Sequence, residues 1–200
     1  MSAAGKAEGR DKSRPYTFLR PYMLLRRVGY RIGQVRQQLG KAHPLTGEDY
    51  EEVGRYLPAS ALPLFRSMSV ADQQHSLRTC RGLLSRGCAE GDMLAAALLH
   101  DVGKAQGRVP FWTRPTIVLG KWLTPRLLAR LTVYPGRGRA CLGPELPRWR
   151  RSLSYAWWHA EVGAELAKDA GLPERAVLYI RTHHQPDGPA AALHAVDEES

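Results

Sequence analysis

The sequence predicts an all-α protein, a single helical bundle, on three observations. Apolar residues recur every third or fourth position through most of the foldable length. Capping residues and helix-stopping glycines fall where those patterns begin and end, and no segment alternates apolar and polar residues as a half-buried strand would. Two hundred residues suffice for one domain with a substantial core.

The elements follow in order. Residues 1–15 are small and charged and read as a disordered tail. In residues 16–39, Leu19, Met23, Leu24, Val28, Ile32, Val35 and Leu39 recur at helical spacing among arginines. That pattern makes a basic amphipathic helix, packed on the domain or lying on another surface. Thr46 caps a short helix through Tyr50 and Val53 that ends near Pro58, and a second short helix covers 62–67. These pieces form an N-terminal helical extension, 16–64, before a domain over 65–200.

Inside that domain, Ser69 and Asp72 open a helix through His75, Leu77 and Leu84 to Gly87. Gly91-Asp92 starts the next, which carries Leu94, Leu98, Leu99 and His100 before Gly103 ends it. Residues 105–152 form an insert rich in proline, glycine and tryptophan. It contains one helix, 125–134, with Pro125 in its first turn and Leu127, Leu128 and Leu131 on one side. Residues 154–170 are strongly helical and stop at Gly171. Pro173 opens a helix with Val177, Ile180 and His183, and Pro189 opens the last, with Leu193 and Asp197 one turn apart.

The net charge of +10 is unevenly placed: residues 1–41 sum to +8, the insert 105–152 to +9, and everything else to −7. The helical body is acidic while the tail and the insert are basic. Basic clusters of this kind suit polyanions, anionic lipid or simply solvent. No recognised nucleic-acid-binding motif accompanies them, so specific nucleic-acid binding is not expected. Cys80, Cys88 and Cys141 are an odd number without CxxC spacing, which excludes a disulfide framework and a zinc knuckle and fits a reduced interior. The first residues lack the apolar run of a signal peptide, and no stretch is long and charge-free enough to span a bilayer. The expected location is cytoplasmic, with a peripheral contact at a membrane surface as a further expectation.

The most informative segment is Ala95-Ala96-Ala97-Leu98-Leu99-His100-Asp101-Val102-Gly103-Lys104, an apolar helix ending in two metal-competent side chains. Imidazole and carboxylate are the ligands divalent transition metals take in hydrolytic sites. Four further histidines (His75, His159, His183 and His184) and the distal Asp197 complete a series that one core would have to gather. Adjacent helical residues point about 100° apart, so His100 and Asp101 can share a site only where the helix begins to unwind. His183 keeps register with Val177 and Ile180 and falls near the buried side. His184 is then left for a second ion or the substrate. Lys104 lies one turn beyond His100, placed to hold a phosphate oxygen or to favour the helix C-terminus. His43 and His194 have no evident partner and read as surface residues.

In this order and with these flanking residues, the chain resembles the HD superfamily of metal-dependent phosphohydrolases over about residues 65–199. His75 is similar to the first His of that pattern, His100-Asp101 to its doublet and Asp197 to its distal Asp. His159, and the pair His183-His184, resemble the extra histidines of the two-metal branch. The resemblance implies an HD-domain helical bundle and one or two divalent transition metal ions (Mn, Fe, Ni, Co or Zn), with Asp101 bridging them. It also implies hydrolysis of a phosphomonoester or phosphodiester, such as a nucleotide, by a metal-activated hydroxide. The expected partner is an anionic small molecule, with Asp101 and Lys104 at the reaction.

Two alternatives stay open. The run from His183 to Pro189 resembles the cyclic-dinucleotide phosphodiesterases of HD-GYP type, but Gly188 is followed directly by Pro189, so their Gly-Tyr-Pro element is absent. A catalytically degenerate regulatory module, docked to membrane or nucleic acid through its basic regions, is the other. Because the chain leaves the candidate site at Lys104 and returns at His159, the insert is expected to form a lid or rim that adds positive potential.

Overall fold

The computed structural model describes residues 43–106, 125–135, 142 and 145–200. Among them nine helices form: α1 (Gly47–Tyr56), α2 (Leu62–Ser67), α3 (Val70–Ser85), α4 (Gly91–Leu99), α5 (Gly103–Gln106), α6 (Pro125–Leu131), α7 (Arg148–Asp169), α8 (Glu174–Thr182) and α9 (Ala191–Asp197). No strand occurs among these residues, and the protein is all-α as its periodicity predicts. None of its described helices is long and apolar enough to cross a membrane.

Helix α4 is the axis of the bundle. Met93 through Leu99 are all buried, so the helix is apolar on every side and has to be enclosed. Helices α1, α2, α3 and α8 pack directly on it, contributing Val53, Phe65, Leu77, Leu83, Val177 and Ile180 to one continuous core. The two short helices that the sequence assigns to the N-terminal extension are thus part of this core. Their few apolar residues, Val53, Leu57, Ala61 and Phe65, cannot cover one another, and only tertiary packing makes helices so short stable.

Local signals position most boundaries. Thr46 and Asp49 form a reciprocal capping box at the start of α1, with the Thr46 N–H donating to Asp49 Oδ2 at 2.9 Å. Gly87 and Gly171, the two described glycines with positive φ (81° and 83°), end α3 and α7. In each case the next residue's N–H reaches back to the last turn, Cys88 to Leu83 O and Leu172 to Ala167 O.

Gly103 behaves differently from the expectation. The α4 helix ends without it, and Gly103 opens α5 instead. A Cβ at Gly103 would stand 2.2 Å from the His159 carbonyl oxygen and 2.9 Å from the Gly163 nitrogen. The glycine is needed because the backbones of α5 and α7 touch there, and that contact lays the Asp101–Lys104 segment against His159.

Two other boundaries depart from the sequence reading. Helix α7 begins at Arg148 rather than at Ser154. Its first turns are polar in sequence but gain tertiary support: Leu153 and Ala156 bury against Leu128 of α6, and Arg150 Nε donates to Leu131 O at 2.8 Å. Helix α6 ends at Leu131 rather than at Tyr134, because the Val133 N–H turns to Ser154 Oγ at 3.0 Å. Within the insert, Leu128 is buried and Arg130 exposed, matching the expected faces. The tail, the 16–39 helix, Cys141 and the insert's Phe111, Trp112 and Trp122 lie outside the described residues, as do the side chains of Arg126 and Leu127, so the expected lid has no structural account.

Gly103→Ala should destabilise the protein by about 1–3 kcal/mol, the usual cost of overpacking a well-filled contact. Urea unfolding measures it. A neutral or stabilising result would mean that α5 and α7 separate freely.

Candidate metal centre

Six helices, α3, α4, α5, α7, α8 and α9, supply the site. His75 projects from the second turn of α3, His100 is the C-cap of α4, and Asp101 lies in the turn that leads to Lys104 on α5. His159 comes from α7, His183 caps α8 with His184 just beyond, and Asp197 is the last residue of α9. All eight residues singled out in the sequence are brought together.

Three of the imidazoles are set in one way. The Nδ1 atoms of His100, His159 and His183 lie 2.9, 2.8 and 2.7 Å from the carbonyls of Ala97, Ala156 and Ile180, each three residues back. A carbonyl only accepts, so each Nδ1 carries the hydrogen and each Nε2 is the inward-facing atom. The Nε2 atoms of His100 and His183 are buried without a hydrogen-bond partner. A buried nitrogen without a partner is costly unless something occupies its lone pair, which a proton or a metal ion could do.

The outer two rings are held by the inner residues. His75 Nε2 donates to Asp197 Oδ1 at 2.8 Å, and His184 Nε2 lies 2.9 Å from His159 Nε2. For either ring to ligate through Nε2, that atom must first give up its hydrogen. His184 is exposed, while His183, its ring centroid only 3.9 Å away, is fully buried.

Asp101 stands between two groups of ligand atoms. One contains His75, His100 and Asp101, the other His159, His183 and His184. Asp101 Oδ2 is 3.7 Å from His100 Nε2, while its Oδ1 is 3.6 Å from His159 Nε2 and 2.5 Å from Lys104 Nζ. Asp197 Oδ1 joins the first group, 3.4 Å from His100 Nε2. Two ligands about 2.1 Å from a shared ion stand roughly 3.0–3.4 Å apart at tetrahedral or octahedral angles. The separations here, 2.8–3.7 Å, bracket that span, so each of the two groups could hold a metal ion. Cys80 plays no part: burial pushes its thiol up to about 12.

The electrostatics of the cluster favour a cation. Burial would raise the Asp101 carboxyl, yet Lys104, His100 and His159 hold it well below the ordinary carboxylate range. Asp197, also resisted by burial, is held down by His100 and His75. His100 is lowered by burial but carried by Asp101 and Asp197 up to about 9. Burial, reinforced by neighbouring positive charge, pushes His183 down to about 3 and holds His159 well below its ordinary value. The carboxylates thus create a negative field that a proton on His100 answers when no metal does.

Sequence reasoning missed one residue. His194, read as a surface residue, is half-buried, and its Nδ1 donates to the His183 carbonyl oxygen at 3.1 Å. Its place three residues before Asp197, on the same side of a short helix, was the available signal.

These shifts set the pH response of the metal-free protein. His159 and His183 are depressed in the folded state, so their contribution is present above the ordinary imidazole value near 6.5 and is lost as pH falls, for His183 toward 3. His100 is raised, so its contribution is present below 6.5 and is lost as pH rises through about 9. Chelator-treated protein should therefore be most resistant to urea at about pH 6.5 and weaken on both sides. A midpoint that stays flat from about pH 4 to 9 would contradict the burial of these rings.

Compared with protein-family models, with curated proteins and with solved structures, the chain matches none of them.

Proposed function

We propose that the protein is a metal-dependent phosphohydrolase of the HD type, acting on a phosphomonoester or phosphodiester such as a nucleotide. The observation that carries this reading is the position of Asp101, a buried carboxylate whose two oxygens face two separate imidazole groups. A carboxylate can serve two ions at once, whereas an imidazole cannot share its single lone pair. In this reading His75, His100, Asp101 and Asp197 hold one divalent ion, and His159, His183 and His184 hold a second with Asp101.

Bound divalent ions supply Lewis acidity toward a phosphoryl oxygen and a source of nucleophile near neutral pH. The chain's own residues do the rest. The i−3 carbonyls fix the His100, His159 and His183 rings, so little reorganisation is needed when ligands and substrate assemble. Lys104, with its side chain 19% exposed, is the cation that can leave Asp101 for a phosphate oxygen once the carboxylate is otherwise compensated.

The Lys104–Asp101 contact also favours a second reading. A lysine 2.5 Å from Asp101 Oδ1 is an internal counter-charge, as expected of a regulatory module that keeps the fold and needs no metal. Metal content separates the two: the phosphohydrolase carries stoichiometric transition metal and the module takes up none on titration.

In a hydrolysis screen of nucleotides, cyclic dinucleotides and simple phosphate esters, with Mn, Fe, Ni, Co or Zn added in turn, at least one pairing should turn over. Asp101→Asn preserves shape and removes the charge, and it should abolish both metal loading and turnover. A loss confined to about 10–100-fold is typical of an outer partner and would remove Asp101 from the ligand set. Lys104→Ala should keep its metal and raise KM for the anionic substrate. Unchanged kinetics in that variant would leave Lys104 as a counter-ion to Asp101 alone.

A further inference from the structure

We propose that His194 is a positioning residue that clamps α9 to the end of α8 and thereby fixes the spacing between the two groups of metal ligands. The inference rests on the metal-centre reading above and adds to it a residue outside the eight ligands and reaction groups.

The His183 carbonyl is one of the last in α8, where the helix has run out of backbone donors. Among the described residues no backbone N–H reaches it: Gln185 N–H turns to Thr182 O at 2.8 Å and Gly188 N–H to Gln185 O at 3.2 Å. His194 Nδ1 supplies the missing donor at 3.1 Å. One ring therefore ties the backbone of a fully buried candidate ligand, His183, to the helix that carries Asp197.

That tie matters because α9 is short and its other polar links, His75 to Asp197 and Arg86 to Glu199 just beyond it, run to α3 and its C-cap rather than to α8. It has seven residues and no side-chain hydrogen bond at its N-cap, Ala190, and a helix so short is marginal without tertiary contacts. Leu193 and Val196 bury beneath it, but apolar contacts tolerate small slides that a hydrogen bond does not. Its polar outlet on the other side is Asp197, which accepts from His75 at 2.8 Å. Thus α9 is tied to α8 at His194 and to α3 at Asp197, three residues on, with the Glu199–Arg86 pair just beyond its end. His194 binds the group containing His183 and His184, and Asp197 binds the group containing His75 and His100. Releasing the His194 tie lets the two groups drift relative to each other while each remains intact.

The test uses the full chain, stripped with chelator and titrated with cobalt(II), whose visible absorption reports ligand geometry. His194→Leu keeps the bulk and removes the donor, whereas His194→Asn offers an amide N–H near the Nδ1 position. In His194→Leu the first ion should bind within about threefold of the unmodified protein and the second about 10–100-fold more weakly, the usual effect of losing an outer partner. His194→Asn should recover most of that loss and the original cobalt spectrum. Amide exchange in the metal-free protein gives a second readout, faster over residues 191–200 in His194→Leu and restored in His194→Asn. Two ions bound equally well by the unmodified protein and His194→Leu would overturn the proposal, as would equal losses in both variants. Absence of cobalt binding to the unmodified protein would instead overturn the metal-centre reading on which it rests.

Discussion

The buried charge of Asp101 constrains everything around it. A carboxylate taken out of water costs several kcal/mol unless cations and donors replace its hydration, and Asp101 sits in a turn at the negative end of α4, where the helix adds to the cost. Lys104 answers one oxygen, at 2.5 Å. The other faces His100, which the two carboxylates keep able to hold a proton up to about pH 9. The surroundings follow from that demand. Gly103 allows α5 to lie against α7, so that His159 can approach the Lys104 side of the carboxylate. The buried run Met93–Leu99 of α4 leads into His100 and Asp101 and places them in the interior of the bundle.

Much of this was legible in the sequence because it depends on local rules. Caps at Thr46 and Ser69 and stops at Gly87 and Gly171 act within a turn or two of chain, so spacing alone reveals them. The doublet, the four other candidate ligand histidines and Asp197 were visible because metal-competent residues stand out against an apolar background. What was not legible depends on contacts across the chain. The early start of α7 needs Leu128 and Leu131, about twenty residues upstream. Gly103 looks like a helix stop until the His159 carbonyl is found beside it. The role of His194 depends on a carbonyl eleven residues away in sequence.

The five imidazoles divide by how their hydrogens are fixed. His100, His159 and His183 are locked by their own helices, each through a carbonyl three residues back, so their ligand atoms are set before any ion arrives. His75 is half-buried and His184 exposed, and they hydrogen-bond to Asp197 and His159. The inner three rings are therefore fixed in orientation by their own helices, while the outer two are held by hydrogen bonds to other residues of the cluster. Locking all five would bury more orphaned nitrogen atoms, each costly without an occupant.

Net charge gives a misleading picture of the field at this site. The chain as a whole is +10, yet the segments 42–104 and 153–200, which carry every candidate ligand, sum to −7. Helix C-termini add to that sign, since His100 and His183 cap two helices and Asp197 ends a third. An anion approaching such a cluster meets the buried carboxylate of Asp101, the half-buried one of Asp197 and an ammonium already committed to Asp101. Occupation by divalent ions would reverse the local sign, free Lys104 to turn outward and make the same pocket of charges attractive to phosphate. If the proposed function holds, anion binding and metal binding would be linked by electrostatics, each strengthening the other by the same factor.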